Sequence, residues 1–222
     1  MREDAYTAPD FAAAALVTID TQRDVLDGGP LEIAGTSAVL PQMRALLVGF
    51  REAAAPIVHI VRLYEPDGSN ADICRRSLLE TGARILHPRA DGSQLAPELL
   101  PPGAPRLDDE LLLAGAVQAL GEREVVIYKP RWGAFFRTPL EDHLRAHHVS
   151  TLVFCGCNFP NCPRTSIYEA SERDFRVVLS TDAVSGLYDR GRRELENIGV
   201  RLMDSAAVLD ALRRARVPAA AR

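Results

Sequence analysis

Three side chains in this sequence are of types that do chemistry together: Asp20, Lys129 and Cys162. Each stands just past an apolar run that reads as a buried strand. Residues 13–19 precede Asp20, residues 125–128 precede Lys129, and residues 151–154 lead into the loop Cys155-Gly156-Cys157-Asn158-Phe159-Pro160-Asn161-Cys162-Pro163. In a parallel sheet the carboxyl ends of the strands share one edge, and ligands bind there. An acid, an ammonium and a thiol converging on that edge make a nucleophilic site. The thiol attacks, the carboxylate takes its proton and returns one to the leaving group, and the ammonium holds the charges in place. Cys162 also opens a stretch that reads as helix. A helix start offers free N–H groups and a positive dipole end, both favouring thiolate. The expectation is a Cys162 pKa well below the ~8.5 of a free thiol.

The elements that must hold these groups alternate along the chain. A helix is expected over residues 37–54, from the spacing of Val39, Met43, Leu46, Leu47 and Phe50. Pro56 ends it, and a second strand covers residues 57–61. Residues 64–105 are irregular, with short helices near 73–79 and 95–99. Helix 138–147 starts at Thr138 as cap and Pro139 as first helical residue. Helix 162–173 and strand 175–180 follow, then helices 190–198 and 205–214 around a short strand at 200–202. The tail, residues 217–222, reads as frayed. Alternation of this kind predicts an α/β protein: a three-layer, Rossmann-like fold with a mostly parallel six-stranded sheet and helices on both faces.

The chain of 222 residues is read as a single domain, with a core over about 12–212. Apolar residues make up 47% and charged ones 25%, as in ordinary globular proteins. The net charge of -4 gives no basic surface for nucleic acid. The longest apolar run, residues 11–19, is too short to span a bilayer. The start, Met1-Arg2-Glu3-Asp4, lacks the pattern of a signal peptide, so a cytoplasmic location is expected. The four cysteines suit that compartment, with no disulfide framework. Cys155 and Cys157 read as core or loop thiols. The C-x-C-x4-C spacing admits a metal, but no second Cys/His pair lies nearby in sequence, and no metal or other cofactor is expected.

The motifs around the three groups resemble those of the isochorismatase-like cysteine hydrolases, the superfamily that includes nicotinamidases and N-carbamoylsarcosine amidohydrolase. Residues 14–22 resemble its opening strand with Asp20-x-Gln22. Lys129 through Leu140 resembles its lysine motif. Gly156 through Cys162, with Ser166, Glu169 and Ala170, resembles its cysteine loop and helix, and Thr181-Asp182-Ala183 its later Asp-Ala pair. The likeness covers about residues 12–210. It implies catalytic roles for Asp20, Lys129 and Cys162. It also implies a cis peptide at Cys157–Asn158 that turns the Asn158 N–H inward, beside that of Cys162, as an oxyanion hole. The implied reaction is hydrolysis of a C–N bond in a small amide, ureide or lactam through a thioester. The alternative is an idle member that binds a small molecule or a protein partner; a third reading has the acyl group captured by something other than water.

Departures from the family narrow this. The metal motif of nicotinamidases is missing from residues 59–67, and Cys162 argues against vinyl-ether hydrolysis. Residues 105–121 read as an added helix over the site rim or on a partner subunit, and a homo-oligomer, dimer or tetramer, is expected. Trp132, Phe135 and Phe159 flank the motifs and either line a substrate pocket or fill core. With Gln22 they are the substrate-binding candidates. Gln22 and Asp24 are placed to orient Lys129 or Asp20. Arg131 and Arg164 could recognise a carboxylate but read first as solvated. His143, His147 and His148 read as solvated.

Overall fold

The computed structural model describes residues 4–216. In chain order its strands and helices are β1 (Ala14–Ile19), α1 (Leu40–Glu52), β2 (Ile57–Val61), α2 (Ile73–Glu80), α3 (Asp109–Leu113), β3 (Gln118–Gly121), β4 (Glu124–Tyr128), α4 (Leu140–Ala146), β5 (Thr151–Gly156), α5 (Cys162–Ser171), β6 (Arg176–Val184), α6 (Asp189–Asn197), β7 (Arg201–Met203) and α7 (Ser205–Arg216). They form one seven-stranded sheet in the order β3-β4-β2-β1-β5-β6-β7. Every neighbouring pair is parallel except β3–β4.

The central strands are buried along their whole length, which is why β1, β2 and β5 read as continuous apolar runs rather than alternations. Each face has its own core. Ala15, Val17 and Ile19 pack with Phe154, Leu144 and Ile167 beneath α4 and α5. Ala14 and Leu16 pack with Met43, Leu47, Phe50 and Leu212 beneath α1 and α7. The α/β layering expected from the alternation is present.

The seventh strand comes from residues 105–121, where one added helix was expected. The reason is local. The Asp108 carboxylate accepts from the Leu111 N–H at 3.0 Å and starts a helix of only five residues. Gly115, at φ +84°, turns the chain out of it. Beyond that turn buried Gln118 and Leu120 alternate with exposed neighbours, a period of two rather than 3.6. Leu112 and Leu120 then close a satellite core with Leu63, Val126 and Tyr128 on the β4 flank. The frayed tail expected at 217–222 lies outside the described residues.

The chain order fixes where a cleft can form. From β1 the chain builds outward through β2 and β4, then returns to pair β5 against the other side of β1. This reversal opens a crevice at the carboxyl ends of β1 and β5.

Candidate active site

Asp20 and Lys129 are carried by the ends of strands, and Cys162 by the start of a helix. The Asp20 N–H donates to Ile60 O at 2.9 Å, extending β1 against β2, and the Lys129 N–H donates to Val61 O at 3.0 Å, extending β4 against β2. Asp20 adopts φ +49°, a left-handed conformation that aspartate tolerates better than most residues. Beyond β5 the chain must pass close to β1. Gly156, at φ +115°, makes that pass. A Cβ there would meet Ile19 O at 2.3 Å, and the Cys157 N–H donates to the same oxygen at 2.9 Å. The loop then delivers Cys162 as the first residue of α5, followed by Pro163, which has no N–H to leave unsatisfied.

The three side chains meet. The Lys129 ammonium, 1% exposed, donates to Asp20 Oδ2 at 2.9 Å, to Arg131 O at 3.1 Å and to Cys162 Sγ at 3.3 Å. Those contacts occupy all three of its protons. Burial alone would lower the Lys129 pKa, but the Asp20 carboxylate and Cys162 outweigh it, so the pKa is raised and the ammonium stays charged. Asp20 Oδ1 is buried without a hydrogen-bond partner.

The thiol departs from expectation. Burial, and next the Asp20 carboxylate, push Cys162 up to about 12, with Lys129 offsetting only part. A helix start favours thiolate, yet here it competes with a neighbouring anion and lost hydration. Burial and the neighbouring acid thus favour a protonated thiol beside a charged ammonium. Cys157 is likewise pushed up to about 12 by burial, and burial raises Cys155 further. Both belong to the buried core, as read from the sequence.

The expected cis peptide at Cys157–Asn158 is absent, as are cis bonds elsewhere among the described residues. The chain turns instead through Gly156 and through Asn161, at φ −115° and ψ −102°. The backbone N–H groups of Asn158 and Cys162 have no acceptor among the described residues. Asp20, Lys129, Asn158 and Cys162 all line one narrow cleft, with a cavity volume of about 40 Å3.

The model of the isochorismatase domain matches residues 14–207. The chain belongs to the isochorismatase family. Among its relatives, maleamate amidohydrolase of Pseudomonas putida is 28% identical over 205 residues, covering 91% of this chain and 86% of that protein. A probable inactive nicotinamidase of Arabidopsis thaliana is 24% identical over 193 residues, covering 84% and 90%. The crystal structure of an isochorismatase family protein from Desulfovibrio vulgaris superposes with a TM-score of 0.77 at 28% identity, covering 91% of this chain and 99% of that one. Amidohydrolases are thus among the members of this isochorismatase family.

Other motif residues of this isochorismatase-family chain turn out to brace the site. Ser166 Oγ donates to Cys162 O at 2.7 Å and accepts from the Ala134 N–H at 3.0 Å, tying the cysteine helix to the lysine loop. Glu169 accepts from the Phe135 N–H at 2.8 Å and crowds Gly133 so closely that a Cβ there would overlap its carboxylate. Asp182 lies within β6 and accepts from the N–H and hydroxyl of Ser205, capping α7.

The substrate-binding candidates separate. Trp132 lines the cleft. Phe135 and Phe159 do not: both are buried, Phe135 against Phe175 at 5.9 Å and Phe159 edge-on to Tyr188 at 5.4 Å. Gln22 is also fully buried. It accepts from the Arg62 N–H at 2.8 Å and donates to Arg62 O at 2.9 Å, so it positions Arg62 rather than substrate. Asp24 accepts from the Leu86 N–H and crowds Gly92, holding a loop instead of Lys129. Arg164 pairs with Glu194 at 2.6 Å, off the cleft. No residue of 105–121 lines the cleft.

Sequence reasoning missed the lining residues Arg62, Tyr64, Asp72, Arg75, Val25, Leu31, Ile33 and Leu86. All come from the segments that follow β1 and β2, Arg75 from α2. Their only signal was position after a strand, which is shared with many residues that face elsewhere. Among the described residues no group of three His, Cys, Asp or Glu side chains could hold a metal ion, and no helix is long and apolar enough to cross a membrane.

Proposed function

We propose that this chain is a cysteine amidohydrolase that cleaves the C–N bond of a small amide or ureide through a thioester. The observation that carries the reading is the contact of one buried ammonium with both a carboxylate, at 2.9 Å, and a sulfur, at 3.3 Å, beside a cleft. Lys129 holds Asp20 by Oδ2, leaving Oδ1 free to accept a proton. Cys162 gives its proton to that oxygen as the sulfur attacks the substrate carbonyl. The oxyanion is received by the N–H groups of Asn158 and Cys162, which have no other acceptor. Asp20 passes the proton to the leaving nitrogen, and the C–N bond breaks. Water then gives a proton to Asp20, attacks the thioester and releases the acid, restoring the thiol. Lys129 keeps the cluster near neutrality while the proton moves.

The amidohydrolase among the relatives supports C–N cleavage. The inactive nicotinamidase among them supports the rival reading, an idle binder. One experiment separates the two. Ammonia release is followed over a panel of small primary amides and ureides, with hydroxylamine added to trap a thioester as its hydroxamate. The proposal expects release and trapping, both lost in Cys162→Ala. Release that survives in Cys162→Ala would overturn it.

A further inference from the structure

Breaking a C–N bond makes one demand that the residues assigned so far do not meet. As the nitrogen takes a proton it becomes cationic, and its N–H groups need an acceptor. Asp20 Oδ1 is the proton donor in that step, and Asp20 Oδ2 is held by Lys129 at 2.9 Å. Lys129 offers donors only, all of them committed.

Tyr64 has an oxygen to spare. It stands just past β2 and lines the cleft, although only 5% exposed. Its N–H donates to Leu86 O at 3.1 Å, which fixes the main chain. Its ring is fixed too. It packs with Val25, Ala71, Ile85 and Leu86, and the Arg62 guanidinium lies 5.0 Å from its centroid. Arg62 is itself gripped by Asp72 and, through both main-chain groups, by Gln22. Only the hydroxyl is idle. It bonds to no group among the described residues, yet it is not one of the buried atoms sealed off without a partner. The small part of Tyr64 that remains exposed therefore includes its polar tip. A buried phenol normally finds a hydrogen-bond partner, and a ring held this firmly cannot turn to seek one in the protein. Burial raises its pKa, so the phenol stays neutral, and the Asp20 carboxylate is near enough to add to that rise.

We propose that Tyr64 is a further catalytic residue that acts on the leaving group: its hydroxyl oxygen accepts a hydrogen bond from an N–H of the departing nitrogen. The proposal rests on the amidohydrolase reading of this site and adds a fourth side chain to it. The bond changes stay as written above. The proton passes from Asp20 to nitrogen, the C–N electron pair leaves with the nitrogen, and Tyr64 keeps its own proton throughout. The hydrogen bond strengthens as the nitrogen gains positive charge, so it favours the transition state over the bound substrate. The carbonyl side of the substrate already has its partners in Cys162 Sγ and in the N–H groups of Asn158 and Cys162.

The test is Tyr64→Phe in the full chain, which keeps the ring and its contact with Arg62 and removes only the oxygen. Primary amides from acetamide to succinamide are supplied with hydroxylamine, and ammonia, acid and hydroxamate are all measured. On the amide that the unmodified chain hydrolyses best, kcat/KM for ammonia release should fall about five- to a hundredfold, the worth of one unmade hydrogen bond. The thermal midpoint should not fall, since the hydroxyl has no partner in the protein. The ratio of hydroxamate to acid should be the same in both proteins, because the thioester no longer carries the leaving nitrogen. A purely structural role for Tyr64 would lower the midpoint. A contact with the acyl part or with the attacking water would change the ratio. Either result, or an unchanged kcat/KM, would overturn the proposal. Ammonia release that needs Cys162 but ignores Tyr64→Phe would sink this inference alone. No release from the unmodified chain would sink the amidohydrolase reading and this inference with it.

Discussion

Two clusters of ionisable groups are buried against this sheet, and they are finished differently. In mid-sheet Glu124 accepts from Arg51 Nε at 2.8 Å and from an Arg51 terminal nitrogen at 2.7 Å, and its Oε1 pairs with His59 at 2.8 Å. The other ring nitrogen of His59 meets Thr18 Oγ1 at 2.8 Å. No side-chain atom of Glu124, His59 or Thr18 is left without a partner. Burial pushes the Glu124 carboxyl up, but Arg51 and His59 overcome this and hold it at about 2. At the carboxyl edge, Asp20 Oδ1 is equally hidden and has no partner, beside a thiol pushed up to about 12. A network with every site filled has nowhere to move a proton and serves to fix packing. A network with one acceptor left open next to a cleft can take a proton at low cost. Completeness of hydrogen bonding, rather than charge or burial, separates the two.

The largest expected difference comes from Cys162. Cys162→Ala should lower kcat to background, a loss of roughly 10^4-fold or more. The thermal midpoint should barely move, since the thiol fills no essential core position. A kcat within tenfold of the parent enzyme would remove the carboxyl-edge cluster from the chemistry.

Asp20→Asn should cost about 10^2–10^4-fold in kcat, the usual worth of a general base. It should also destabilise the fold by about 3–5 kcal/mol, because the Lys129 ammonium loses its counter-charge while still buried. Urea midpoints and steady-state rates measured on one preparation check both. Glu124→Gln should cost a similar 3–5 kcal/mol, stranding Arg51 and His59, yet leave kcat per folded molecule unchanged. Its pH dependence has a definite sign. The folded-state pKa is held at about 2 against an ordinary 4.5. The Glu124 contribution is therefore complete above pH 4.5 and fades as pH falls toward about 2. Acid unfolding of Glu124→Gln should be correspondingly shallower. A rate loss in Glu124→Gln beyond its loss of folded protein would erase the contrast between the clusters.

Much of the carboxyl edge was legible because strand ends are. A polar residue directly after an apolar run in an alternating chain has few places to go, and Asp20 and Lys129 obey that rule, while Cys162 opens the helix that follows the next such run. The second strand was read with both its ends, residues 57–61, because Pro56 and the apolar run bound it. What failed depends on contacts remote in sequence. Residues 105–121 carry three adjacent leucines, which a short helix and a short strand use equally well. Phe135 and Phe159 lie within the lysine and cysteine motifs but belong to the core beneath α5. A Cβ at Gly191 would lie 2.3 Å from the Phe159 ring. Arg75 reaches the cleft only because Arg62 grips Asp72, a pairing that no local pattern announces. For the thiol, the helix-start argument counted one influence, whereas burial and an adjacent carboxylate both push the pKa up.

That last point yields the smallest and most selective prediction. Alkylation of Cys162 by iodoacetamide, located by mass spectrometry, should keep rising with pH through ~8.5, where a free thiol levels off. The carboxylate of Asp20 is the second cause of the upward shift, after burial. Asp20→Asn should therefore move the whole profile to lower pH without bringing it to the free-thiol value, since burial remains. A profile that levels off well below ~8.5 in the parent protein would mean that the ammonium and the helix start together outweigh burial and Asp20. The resting state would then be an ion pair of Lys129 and thiolate, with the proton already on Asp20 before substrate arrives. In that case the open acceptor at Asp20 Oδ1 would be filled at rest, and the two buried clusters would differ in what they have moved rather than in what they can move.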